Sequence, residues 1–457
     1  ILRKSIVEDC HEVERMSKPW RGSWISNPAI IVQPENVAEL QTIMRLCAKN
    51  SFPVVPQGGN TGLSGAAICR PGGNEVLLSM KRLNRIRSID LDDDVVVAEA
   101  GCILSSVKDI ANDNGRLFPL SLGAQGSCTI GGNIATNAGG MNAIRYGTMR
   151  NLVAGVEVVL ANGDLWNGLR ALRKDNAGYD LKHLFIGSEG TLGIVTAAAL
   201  RLFPIPHQSV TCVVAVQSPR EAFGWYCRLK DEFWDQVNAC ELIERICIDV
   251  AIRHIPQIVD PFPNQYPWYV MSEVISSDKQ RGLGNDLVNV FSKSYDEGTV
   301  LDGVVAMSTV QAQDLWRMRE SIPEAHKLEG LSFKHDISVP TSRVSEFIAS
   351  ASLALVKRFP SIRPFSFGHL GDGNIHFNPL APENDDADAW QLRLADVNRI
   401  THDIATSLGG SISAEHGIGQ LRKTELVRYR SQVELSMMKA ARHALDPKGL
   451  MNPGKVF

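Results

Sequence analysis

A chain of 457 residues is too long for one hydrophobic core, so two or more domains are expected. Its 44% hydrophobic and 21% charged residues suit a soluble globular protein, and no apolar run approaches a membrane span. A net charge of −3 without a basic block argues against nucleic acid as a partner. Residues 1–30 are polar, carry Trp20 and Trp24, and read as an arm packed on the body. They show no signal-peptide pattern, but residue 1 is Ile, which leaves an upstream targeting segment open. Ile30–Val32 is a short strand. Asn36–Asn50 places Val37, Leu40, Ile43, Met44 and Cys47 on one helical face. Phe52–Val55 is a strand, and Pro56–Ala67 is a glycine-rich loop directly after it. Strand then glycine loop is where α/β folds approach phosphate. Val76–Ser79, Val95–Glu99 and Val156–Leu160 read as strands and Leu104–Asn114 as a helix.

Ser121–Asp164 is too rich in Gly, Asn, Ser and Thr to build a core. Gly123, Gly126, Gly131, Gly132, Gly139 and Gly140 permit tight bends with exposed N–H groups, a nest for phosphate or pyrophosphate. Asn133, Thr136 and Asn137 add neutral donors and acceptors. Lys174–Leu202 is a third such stretch, with Gly187, Gly190 and Gly193 before an apolar strand. None of the three is a Rossmann fingerprint or a Walker A loop. Together they point to a long ligand cradled by backbone. The 9 cysteines, scattered from Cys10 to Cys247 without a C-x-x-C pair, read as reduced structural thiols.

The runs PQGGNTGLSGA, GSCTIGGNIATNAGG, RYG and GSEGTLGIVT resemble the FAD-binding half of the vanillyl-alcohol oxidase-type (PCMH-type) flavoproteins. Within these, the chain is similar over nearly its whole length to the D-2-hydroxy-acid dehydrogenases. The resemblance implies an α+β fold with a two-subdomain FAD-binding domain over residues 1–205. An antiparallel-sheet substrate (cap) domain is expected over 206–410, and a 411–457 segment returns to the FAD domain. Cofactor contacts carried over by the resemblance are Pro56, Gly58, Gly59, Asn60, Thr61, Gly62, Ser64 and Gly65 in the first loop. The central stretch adds Gly126, Ser127, Gly131, Gly132, Asn133, Thr136, Asn137, Gly139, Gly140, Tyr146 and Gly147. Glu189, Gly190, Gly193, Ile194 and Asn452 complete the set. Some relatives bind FAD covalently through a His in the first loop; here that loop has none, so non-covalent FAD is expected.

From Pro204-Ile205-Pro206 the composition changes. Strand-like runs Thr211–Val216, Ala239–Ile243, Trp268–Val274, Gly303–Ser308, Phe333–Val339 and Pro364–His369 alternate with helical runs such as Pro219–Phe233 and Thr341–Arg358. This suits an antiparallel sheet with helices on one face. A helix over Ala387–Leu408, an extended run Ile412–Gly417 and a helix within Glu434–Phe457 follow.

In Phe365–Leu380, two apolar runs flank Asp372-Gly373, a strong hairpin signal. With those two residues as the turn, His369 faces His376 and Phe367 faces Asn378. Opposed Cβ atoms lie roughly 4.5–5.5 Å apart, close enough for two imidazoles to share a metal. Glu415 offers a third ligand, and in extended backbone His416 points away from it. A His2Glu set with open positions is of the catalytic zinc type, although other divalent ions suit it too. The family patterns G-H-L-G-D-G-N-x-H and A-E-H-G assign one metal ion to His369, His376 and Glu415, and the base role to His416.

The resemblance implies oxidation of D-2-hydroxyglutarate to 2-oxoglutarate by hydride transfer to flavin N5. A metal lowers the hydroxyl pKa, and a neutral His takes the proton. The W-x-x-R pattern, Trp316 to Arg319, places Arg319 in the substrate pocket, where its fork would hold a carboxylate. Lys334, before D-x-S-x-P, matches a dicarboxylate contact, and Asn378 is a further substrate residue. Pro323 stands where some dicarboxylate-specific relatives carry a hydroxyl. The alternatives are a D-lactate or other D-2-hydroxy-acid dehydrogenase of the glycolate oxidase subunit type, and an ether-lipid alkyl transferase. By the resemblance, an electron-transfer flavoprotein, quinone-linked or dye-like acceptor is expected to take the electrons. A homodimer is left open, in bacterial cytoplasm or, for a eukaryotic source, the mitochondrial matrix.

Overall fold

The computed structural model describes residues 3–19, 26–383 and 385–457, so Trp20 and Trp24 lie outside the described residues. By contact the chain divides into two units: residues 1–140, 146–205 and 415–457, and residues 141–145 and 206–414.

Among its described residues the first unit holds two larger sheets and a short antiparallel pair, Arg116–Leu117 with Phe203–Pro204. Ile30–Val32, Val76–Ser79 and Val54–Gln57 form a parallel sheet in that order. Helix Val37–Asn50 starts where Asn36 accepts the Glu39 N–H. It buries Leu40, Ile43, Met44 and Cys47, the stripe expected from their spacing. Five antiparallel strands make the second sheet, in the order Ile86–Asp90, Val95–Glu99, Ile194–Arg201, Val153–Val159 and Leu165–Gly168. The central stretch is less loop-like than its composition suggests. It turns through short helices at Ile130–Ala135, Ala143–Tyr146 and Met149–Leu152. Ile130, Ile134, Met149 and Leu152 are its buried anchors in the core. The C-terminal tail joins the parallel sheet edge: the Val54 N–H donates to Leu450 O (2.8 Å) and the Asn452 N–H to Val54 O (2.8 Å).

The second unit is a seven-stranded antiparallel sheet. Its order is Asp302–Val305, Gln208–Val216, Trp268–Ser276, Val237–Glu244, Ser366–His369, Asn374–Phe377 and His335–Ser338. Helices cover both faces, not one. Cys212, Val214 and Val216 pack with Trp225, Leu287, Phe347 and Val397. Val213 and Ala215 pack with Ile248, Ala251, Met318 and Ile322 on the opposite face. The reason is legible in Cys212–Val216, which is apolar without alternation and therefore must be buried on both sides. Several expected bounds shift, among them the strands now at Val54–Gln57 and Asp302–Val305. The helix expected over Ala387–Leu408 is two, Ala387–Gln391 and Leu394–Ser407. Ile412–Gly417 is not a strand; only Ser411 bridges the sheet, at Ser338. The last segment joins the first unit from Glu415 rather than 411, because Ala414 still donates its N–H to Asp336 O (3.0 Å).

Candidate active site

The cap hairpin turns differently from the expected geometry. Its register pairs Phe367 with His376 and His369 with Asn374. The turn therefore spans four residues, Leu370–Gly373, closed by the Gly373 N–H on His369 O (3.1 Å). Gly373 sits at φ +80°, and a Cβ there would lie 2.1 Å from Val339 O, which selects glycine. His369 and His376 are thus diagonal rather than opposed. A shift of two residues keeps the face, where a shift of one would have reversed it. The two rings meet edge to face at 5.4 Å, and a ring nitrogen of each lies within 4.8 Å of one from the other.

A buried acid that sequence reading missed stands behind this pair. Glu241 is directly opposite His369 on the neighbouring strand. Its Oε1 accepts from His369 Nδ1 at 2.6 Å, and its Oε2 accepts from Arg319 Nε at 2.8 Å and pairs with Nη2 at 2.7 Å. Burial alone would raise the Glu241 pKa, but the neighbouring His369 and Arg319 hold it down at about 2. The signal was a lone acid in the middle of the apolar run Ala239–Ile243. Arg319 stacks over Phe367 at 4.9 Å, and two of its nitrogens are committed to Glu241, so the expected free fork is partly occupied. Four residues on, Pro323 lacks the N–H that would bond the Arg319 carbonyl within helix Thr309–Glu329.

Asp336, quoted in the sequence only as part of a motif, is paired with His376 in the sheet. Its Oδ1 accepts from Asn374 Nδ2 (2.9 Å) and lies 3.8 Å from His376 Nδ1. Lys334 is exposed just before this strand. The ladder continues to the Ser332–Leu380 bridge, so Lys334 falls opposite Asn378 on the face of Asp336 and His376. Asn378 Oδ1 accepts the His335 N–H (2.9 Å), so its carbonyl end is held by the backbone.

In the first unit, Pro56, Gly58, Thr129, Gly131, Gly132, Thr136, Glu189, Gly190, Gly193 and Ile194 line one pocket. Its empty volume is about 630 Å³, including space open to solvent. The first and second glycine stretches approach so closely that a Cβ on Gly59 would meet Ser127 O at 2.0 Å. Thr129 Oγ1 and Asn452 Oδ1 are buried without a partner among the described residues, as expected where a polar ligand completes the set. Other expected contacts are used internally. Asn137 Oδ1 takes Thr148 Oγ1 and the Arg150 N–H, both at 2.9 Å, and Tyr146 packs on Phe203. Gly126 and Ser127 are exposed.

Glu189 ties this pocket to the segment after His416. Its carboxylate accepts the N–H groups of Ile418 (2.7 Å) and Gly419 (2.8 Å). Burial raises its pKa against these two bonds. Glu415 and His416 are half-buried in irregular backbone. A carboxylate oxygen of one and a ring nitrogen of the other lie within 4.8 Å, so they do not diverge as extended backbone would have required.

Residues 28–168 match the FAD binding domain family, and residues 205–456 match the FAD linked oxidases, C-terminal domain. Fold and pocket therefore define an FAD-linked oxidoreductase of the PCMH type. The D-2-hydroxyglutarate dehydrogenase of Xanthomonas citri pv. viticola is 38% identical, over 98% of this chain and 93% of its own. The mitochondrial enzymes of that name from Arabidopsis thaliana and Rattus norvegicus are 36% and 34% identical, over 99% and 100% of this chain and 79% and 83% of theirs. The chain belongs to the D-2-hydroxyglutarate dehydrogenase family. Two solved structures share the fold at 16% identity. They are a substrate-bound p-cresol methylhydroxylase (TM-score 0.76, 99% of this chain, 94% of that one) and an alkyldihydroxyacetonephosphate synthase (0.75, 99% and 84%).

Proposed function

We propose that this chain oxidises D-2-hydroxyglutarate to 2-oxoglutarate with non-covalent FAD and one divalent metal ion, zinc by its donor set. The observation that carries the reading is the diagonal His369/His376 pair, sharing a cap-sheet face with Lys334. Relatives that bear the name of this activity support the substrate.

Bound FAD supplies a hydride acceptor and a bound metal supplies a Lewis acid for the hydroxyl oxygen. The chain's own residues do the rest. His369 and His376 offer two nitrogens, and Glu415 follows directly on Ala414, which is pinned to the Asp336 strand. His416, next in sequence, takes the hydroxyl proton. Lys334 holds the distal carboxylate; Arg319 reaches it only with Nη1, since Nε and Nη2 serve Glu241. The Asn378 amide adds a neutral donor. Electrons leave to an electron-transfer flavoprotein or a quinone-linked acceptor, in the mitochondrial matrix or a bacterial cytoplasm. Among the described residues no helix is long and apolar enough to cross a membrane.

The first loop carries no histidine, so acid precipitation should leave the yellow colour in the supernatant. Flavin in the pellet would overturn non-covalent attachment.

Anaerobic flavin bleaching by a panel of D-2-hydroxy acids tests the substrate, with Lys334→Ala as the discriminating variant. A cation–carboxylate hydrogen bond is worth about 1.5–3 kcal/mol. Its loss should raise KM for D-2-hydroxyglutarate by roughly 10–200-fold and leave D-lactate nearly unaffected. Equal efficiency of wild type on both acids, or an equal effect of the substitution on both, would refute the dicarboxylate assignment.

A further inference from the structure

We infer that Glu241 is a positioning residue: it decides which nitrogen His369 presents to the metal, and Arg319 fixes Glu241 in turn. The inference rests on the metal reading above. Glu241, His369, His376, Phe367 and Arg319 form a closed circuit of contacts on one face of the cap sheet. Glu241 takes the His369 Nδ1 side at 2.6 Å, and the His369 ring meets His376 at 5.4 Å. His376 meets Phe367 at 5.0 Å, and Phe367 lies under Arg319, which returns to Glu241.

A carboxylate can only accept, so Glu241 keeps the His369 proton on Nδ1 and the lone pair on Nε2. Metal-ligating histidines generally donate their second N–H in this way, which sets tautomer and ring orientation. Glu241 has no solvent exposure, so its charge needs a fixed cation, and Arg319 supplies one from the Thr309–Glu329 helix. The strand register places Glu241 opposite His369 through backbone alone. The acid is therefore held independently of any ligand.

Glu241→Gln separates these roles. Its side chain has nearly the same volume but can present an NH2 to His369 Nδ1, which moves the ring proton to Nε2. On the holoenzyme, zinc affinity measured against a chromophoric chelator should fall about 10–100-fold. The FAD-to-protein absorbance ratio should stay at the wild-type value. Glu241→Asp keeps an acceptor-only group and should recover part of the affinity, and it stands in if the Gln variant does not fold. If wild type takes up no zinc, the metal reading itself falls. If wild type binds zinc and the Gln variant binds it equally well, or the Asp variant binds no better than Gln, Glu241 does not position His369.

Discussion

Replacing His376 with alanine is expected to abolish substrate-driven flavin bleaching while FAD stays bound. The histidine stands on a strand of the second unit, whereas the residues lining the glycine-rich pocket all belong to the first. His376 is not among the residues that line that pocket, so the lining keeps all its residues in the variant. The substitution takes one of two nitrogens from the metal site, and a single remaining imidazole does not hold the ion in a catalytic geometry. Lewis-acid stabilisation of developing charge is worth several kcal/mol, and about 4 kcal/mol corresponds to roughly 10³-fold in rate. Dialysis against a strong chelator should reproduce the loss in wild type, and added zinc should restore it there but not in the variant. Full activity in metal-free protein would sink the metal assignment. The fold should survive, because His376 keeps 14% of its side chain exposed and its strand pairs through backbone on both sides.

What could be read in advance follows from where the information lies. The stripe Leu40, Ile43, Met44 and Cys47 is local, and the helix lies where its period puts it. The hairpin was legible as a hairpin, but its turn was not. Asp372-Gly373 looks like a two-residue turn, yet Gly373 bonds back to His369 and Asp372 Oδ1 accepts the Asn374 N–H (3.0 Å), which makes a four-residue loop. The even shift left the histidines on one face, so the pairing was misjudged and the proximity was not. Glu241 was hidden for another reason. Its partner His369 is 128 residues away in sequence, and only the strand order brings them together. Local pattern shows an acid in an apolar strand but cannot say what it faces. For the same reason Arg319 looked free for substrate, since Glu241, which holds it, lies 78 residues earlier. The 412–417 run reads as extended, but after the Ser411 bridge the chain leaves the second unit at Glu415.

Replacing His416 with alanine is expected to lower turnover by roughly 10²–10⁴-fold, the range for loss of a general base. The argument starts from its neighbours. Glu415 lies on one side within reach of its ring, and on the other the chain runs into Gly417, Ile418 and Gly419. That run is held by the Glu189 carboxylate through two backbone N–H groups. The loop thus keeps its shape when the imidazole is removed, because none of these anchors is the His416 side chain. FAD and zinc contents should accordingly match wild type, so the loss falls on turnover alone. A neutral imidazole has a ring lone pair with which to accept the hydroxyl proton. Without it water must serve, and raising the pH should partly restore the rate by supplying hydroxide. The turnover of the variant should therefore climb through the alkaline range. Near-normal turnover in the variant would mean that His416 only shapes the site. Loss of zinc together with activity would instead move His416 from the base role to the ligand set.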